Sequence, residues 1–134
     1  MDKYISILML EDNVDDATLI QKCLERGNLK FTATVVTTKQ EFVDALNNHS
    51  FDLVLSDHSL PQFNSSEALQ IVRAEKPFMP FIVLTGAVSE DFAISIFEKG
   101  ADNYIMKDNL KRLPSAILKA IETQTELAKN ANKK

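Results

Sequence analysis

A single α/β domain built on a parallel, doubly wound sheet is predicted by three observations. Five short apolar runs alternate with longer stretches of helical periodicity. No repeat, linker or low-complexity block interrupts them over 134 residues, a length that suits one domain with a real core. Four of the five runs end in a group able to bind metal or phosphate: Glu11 and Asp12 after YISILML, Asp57 after LVLS, Thr85 closing FIVLT, and Lys107 after NYIM.

Ile5 to Leu10 reads as a strand buried on both faces. Ala17, Ile20, Cys23 and Leu24 then form a helical stripe that stops near Gly27. Phe31 to Val36 alternates with Thr32 and Thr34, as a half-exposed edge strand does. Thr38 followed by Glu41 forms a capping box, opening a helix with Phe42, Val43 and Leu46 inward. Leu53 to Ser56 is the third strand, followed by a turn at Pro61. Asn64-Ser65-Ser66-Glu67 starts the next helix, with Ala68, Leu69 and Val72 toward the core.

Pro77 and Pro80 end that helix before the fourth strand, Phe81 to Leu84. Ser89 and Glu90 open a fourth helix, with Ala93, Ile96 and Phe97 inward and Gly100 at its end. Asn103 to Met106 is the fifth strand. Pro114 suits the first turn of a last helix carrying Ile117, Ala120 and Ile121. Such alternation implies βαβ units with right-handed crossovers. The flavodoxin-like order 2-1-3-4-5 places the polar second strand at an edge. It also sets Glu11 and Asp12 beside Asp57 at the topological switch point, where open α/β sheets bind ligands.

Composition excludes several classes. A net charge of −4 without a basic stripe argues against nucleic acid as the main partner. A lone Cys23 permits neither an internal disulfide nor a cysteine metal site, and its helical spacing makes it a small core residue. The start MDKYISILMLEDN turns acidic too soon for a signal peptide, and no run of about 18 apolar residues could span a membrane. A cytoplasmic domain over 1–128 is expected, with 129–134 as a flexible tail.

Three carboxylates in one crevice repel one another, so at least one pKa must rise. A hard divalent cation removes that cost, and Mg²⁺ prefers a few carboxylates together with waters and phosphate oxygens. Asp57 is thus expected to take a phosphoryl group, with Lys107 as a point charge and Thr85 as a hydroxyl donor to its oxygens. The phosphoryl group adds about −1.5 to −2 of charge, which Lys107 and Thr85 sense directly.

The motifs ILMLEDN, FDLVLSDHSLP, FIVLTGA and ADNYIMKDNL, in that order and spacing, resemble the receiver domain of response regulators in two-component signalling. The resemblance covers essentially the whole chain. It implies that Asp57 accepts the phosphoryl group and that Glu11, Asp12, Asp57 and the Ser59 carbonyl hold Mg²⁺. Thr85 and Lys107 then grip the phosphoryl group, and Thr85 and Tyr104 act as the switch pair. It also implies a phosphohistidine donor, either a histidine kinase or a histidine phosphotransfer protein. The surface of the fourth helix, fifth strand and fifth helix would be remodelled toward a protein partner or a second copy of the chain.

Departures from the family pattern carry their own expectations. Asp108 stands where the family usually has proline. A cis bond without proline costs about 2.5–4 kcal/mol, so a trans Lys107–Asp108 peptide is expected. The loop after Asp57 lacks the usual glycines, leaving Asn64 or Ser65 to make the turn. His58 reads as a loop residue rather than an acid–base group. Ala87, two residues past Thr85, cannot orient a water, so rapid self-dephosphorylation is not expected.

Other chemistries fit less well. A haloacid-dehalogenase-type phosphatase would want a second acid where Ser59 stands, and room for a cap insertion. A flavin mononucleotide carrier would want a glycine- and hydroxyl-rich loop where Glu11 and Asp12 stand. A structural receiver that works by protein contact alone is the remaining alternative, and Phe92 and Ile94 add apolar surface to the fourth helix.

Overall fold

The structure, a computed structural model, describes residues 4–58, 63–86 and 89–131. Five strands alternate with five α-helices: β1 (Ile5–Leu10), α1 (Val14–Arg26), β2 (Phe31–Val36), α2 (Lys39–Asn48), β3 (Leu53–Asp57), α3 (Ser65–Glu75), β4 (Phe81–Thr85), α4 (Glu90–Glu98), β5 (Asn103–Met106) and α5 (Leu113–Ala131). A 3-10 segment, Lys107–Arg112, joins β5 to α5. The strands are all parallel in the order β2-β1-β3-β4-β5, as expected from the sequence.

Strand alternation splits the core into two layers. Ile7 and Met9 of β1 face α1 and α5, joining Ile20, Leu24, Leu55, Ile82, Leu84, Ile105 and Ile117. Leu8 and Leu10 face the opposite way, joining Phe42, Leu46, Val54, Leu69, Val72, Phe81, Val83 and Ile96 beneath α2, α3 and α4. Each large apolar side chain fully buried in these layers contributes about 1.5–3 kcal/mol. The central strands are buried on both faces, whereas Thr32, Thr34 and Val35 of β2 are exposed at the edge.

Side-chain caps set the helix starts. Asn13, Thr38, Asn64 and Ser89 each accept a hydrogen bond from the backbone N–H three residues on. Glu41 completes the box at α2 by accepting from Thr37 N at 2.8 Å, one residue before the cap. The left-handed residue after α1 is Asn28 (φ 61°) rather than Gly27. Gly27 has a different reason to be small: a Cβ there would lie 2.6 Å from the Pro114 ring. Gly27→Ala is expected to cost about 1–3 kcal/mol by prying α1 from α5. Unchanged urea denaturation would show that this contact has slack.

Three details differ from expectation. Phe97, expected inward, is 47% exposed, because α4 turns only Ile96 fully into the core. β3 and β4 each run one residue further, so Asp57 and Thr85 are themselves strand residues. The last helix continues through Lys129 to Ala131, three residues into the stretch expected as tail. The turn at Pro61 lies outside the described residues.

Candidate functional site

The strand register brings the predicted residues to one edge. Leu10 pairs with Ser56, Asp57 with Leu84, and Thr85 with Met106. The residues that follow these ends, Glu11 and Asp12 after β1 and Lys107 after β5, therefore reach the same crevice as Asp57. Carboxylate oxygens of Glu11, Asp12 and Asp57 lie within 4.8 Å of one another. Glu11 and Asp57 are buried, whereas Asp12 is exposed at the mouth.

Lys107 crosses this crevice. Its Nζ lies 2.7 Å from Glu11 Oε1, 2.7 Å from Asp16 Oδ2 and 3.5 Å from Asp57 Oδ1. The Lys107–Asp108 peptide is trans, and the chain then turns directly into the 3-10 segment. Burial works against the lysine's charge, but the hydrogen bond it donates to Asp16, the carboxylate of Glu11 and the charge of Asp57 outweigh it and raise its pKa. Lys107 is thus a fixed cation across the working range.

Glu11 shows what the crowding costs. Burial is the largest cause, and the charge of Asp57 adds to it; the ammonium of Lys107 and the Asn13 N–H oppose it, leaving the pKa pushed up to about 7. Its Oε2 accepts from Asn13 N at 3.2 Å. Its Oε1 is sealed from solvent and meets the charge of Lys107 without a well-directed hydrogen bond. A buried, under-coordinated carboxylate oxygen grouped with two more carboxylates fits a hard divalent cation such as Mg²⁺.

Thr85 is fully buried at the end of β4, one position beyond the partner of Asp57. Tyr104, on β5, is half-buried and packs its ring 5.7 Å from that of Phe92 on α4. Phe92 in turn stacks on His58 at 3.6 Å. The apolar surplus of α4 is therefore Ile94 and Phe97, both exposed, while Phe92 is occupied. His58 Nδ1 lies 3.0 Å from Ser65 Oγ. Burial lowers its pKa against the pull of Asp57, which favours the neutral ring. Cys23 is half-buried, its Sγ 2.9 Å from the Leu110 carbonyl. Ser59 and Ala87 lie outside the described residues.

The residue missed by the sequence reading is Asp16. Its acidic position in the first turn of α1 reads as an ordinary complement to the helix dipole. Only its place four residues past Asp12, in the first turn of the helix that follows the acidic pair, hinted that it could reach the same crevice.

A doubly wound α/β domain with an acidic crevice and a bridging lysine at its switch point is the class that fold and site define. The sequence profile of the response regulator receiver domain matches residues 7–118, and the chain belongs to that family. Among curated relatives, the DNA-binding transcriptional regulator NtrC of Klebsiella pneumoniae is 30% identical over 96 residues, 70% of this chain and 20% of its own length. The alkaline phosphatase synthesis transcriptional regulatory protein PhoP of Bacillus subtilis is 29% identical over 122 residues, covering 91% of this chain and 50% of that protein. The chain thus spans half or less of the length of these relatives.

Solved structures agree. The CheY-like receiver domain protein of Methanospirillum hungatei is 26% identical with a TM-score of 0.78, covering 92% of this chain and 98% of that one. A receiver domain protein of Clostridium thermocellum is 27% identical with a TM-score of 0.76 and the same coverage. Among the described residues no helix is long and apolar enough to cross a membrane.

Proposed function

We propose that this receiver domain is a phosphoacceptor switch and that Asp57 is its acceptor. The observation that carries this is the placement of Asp57, buried at the end of β3, beside the carboxylates of Glu11 and Asp12 and 3.5 Å from the ammonium of Lys107. An Asp57 carboxylate oxygen forms the new bond to phosphorus as the bond to the donor's leaving atom breaks. The electron pair departs with the leaving group, which is an imidazole nitrogen for a phosphohistidine on a kinase or phosphotransfer protein. Lys107 places positive charge on the phosphoryl oxygens and Thr85 supplies a hydroxyl to them.

Glu11, Asp12, Asp57 and the Ser59 carbonyl would hold Mg²⁺. When bound, the ion would offset the negative charge that gathers on the carboxylate and the phosphoryl oxygens. The acceptor is consumed in each event, so the domain is a signalling switch rather than a turnover enzyme. A cytoplasmic setting suits such a donor.

The added charge biases an equilibrium between two arrangements of Thr85 and Tyr104. Tyr104 touches α4 through Phe92, so a turn of its ring would be felt by the face of α4, β5 and α5. Ile94 and Phe97 are exposed on α4 for a protein partner or a second copy of the chain.

Intact mass after incubation with acetyl phosphate and Mg²⁺ tests the reading. One phosphoryl adduct is expected on the wild type, and none on Asp57→Asn or in chelator. An adduct that survives Asp57→Asn would remove Asp57 as acceptor. No wild-type adduct from acetyl phosphate or from a phosphohistidine protein would leave a structural receiver.

A further inference from the structure

Lys107 is held by more carboxylates than phosphoryl transfer needs. Its Nζ sits 2.7 Å from Asp16 on α1 and 2.7 Å from Glu11, but 3.5 Å from Asp57. Glu11 belongs to the carboxylate trio that fits a divalent cation, and a cation held there would compete with Lys107 for it. Asp16 lies outside that trio. It is the counter-ion that a cation in the crevice would leave to Lys107.

We infer that Asp16 is a positioning residue that parks Lys107 on α1 in the resting state, restraining its grip on the phosphoryl group at Asp57. The physical basis is competition for one ammonium. Lys107 is a compact point charge on a flexible stem and can give one oxygen its best contact only by loosening another. A phosphoryl group carries about −1.5 to −2 of charge, against −1 on Asp16, so it wins the contest but against a restraint. The Asp16 side chain is 35% exposed, so that restraint is modest and breakable. Asn13 caps α1 by accepting from Asp16 N, which fixes the backbone from which the carboxylate reaches.

The inference rests on Asp57 as phosphoacceptor, and two measurements separate its failure from failure of that reading. In the first, the rate of adduct formation from acetyl phosphate and Mg²⁺ is followed by intact mass. Asp16→Asn is expected to accelerate it roughly two- to fivefold, the range set by one exposed ion pair. Asp16→Glu, which keeps a carboxylate, should return the rate toward wild type. Asp15→Asn removes the same charge from the same turn without touching Lys107 and should leave the rate unchanged. The acceleration should vanish in a Lys107→Gln background.

The second measurement needs no phosphoryl transfer. In metal-free buffer, acylation of the Lys107 amine by an N-hydroxysuccinimide ester, read by peptide mass, should be faster in Asp16→Asn than in wild type. Equal acylation rates, an Asp16→Asn adduct rate at or below wild type, or an equal gain from Asp15→Asn would each overturn the parking role. A wild type that forms no adduct while acylation still responds to Asp16 would instead locate the failure in the phosphoacceptor reading.

Discussion

Glu11→Gln is expected to make the metal-free protein more stable at pH 8 and to remove its response to Mg²⁺. The folded-state pKa of Glu11 is raised to about 7 from 4.5, with burial as the leading cause. Between those values the folded protein holds a proton that the unfolded chain has released. Stability therefore falls as pH rises from about 4.5 to about 7 and stays low above it. The full cost of ionised Glu11 is about 3–4 kcal/mol, from about 1.4 kcal/mol for each pKa unit.

Gln carries no charge to desolvate, so the variant should recover much of that cost at pH 8 and show no gain below about pH 4.5. Urea denaturation in chelator at the two pH values reads the difference. With Mg²⁺ the order should reverse, because a cation that binds only the folded wild type stabilises it by mass action. A wild type more stable than Glu11→Gln at pH 8 in chelator would mean that Lys107 already compensates the carboxylate in full. The acidic crevice is then no reservoir of strain for a metal to relieve.

The second large effect lies at the opposite end of the sheet. Asp102, just before β5, accepts from Phe81 N at 2.9 Å, from Gln124 Nε2 at 2.8 Å and from Arg73 Nη2 at 3.4 Å. Arg73 also donates to the carbonyls of Gly100 and Met79. One carboxylate thus joins α3, β4, β5 and α5 where the strands begin. Burial lowers the Arg73 pKa, and Asp102 is the charge that opposes this.

Asp102→Ala is expected to cost about 3 kcal/mol, since it strands a half-buried guanidinium together with a buried amide and a strand N–H. Asp102→Asn should cost less, because its amide oxygen can still accept. Phosphoryl acceptance at Asp57 should survive both substitutions, since the network is at the amino ends of the strands and the crevice at their carboxyl ends. A loss below 1 kcal/mol for Asp102→Ala would mean that water replaces the carboxylate.

Much of the site was legible because strand ends are local features. Glu11, Asp12, Asp57, Thr85 and Lys107 each follow or close an apolar run, and parallel order brings such positions together without any knowledge of side-chain geometry. Phe97 was misread for the opposite reason. A four-residue apolar repeat on a helix does not say which of two neighbouring stripes faces the sheet, and α4 buries Ile96 while leaving Phe97 at the surface. The 3-10 segment after Lys107 was not foreseen either, although proline-free Asp108 pointed correctly to a trans peptide.

By itself, the sequence determined the element order, the parallel sheet and the acidic crevice, because apolar periodicity and punctuation by caps, Gly and Pro act over a few residues. Only the tertiary structure decided who partners whom. The hold of Asp16 on Lys107 spans 91 positions of the chain, and that of Asp102 on Gln124 spans 22. Distances of a few ångströms between groups so far apart depend on how the helices settle against the sheet. Local propensity carries no record of that.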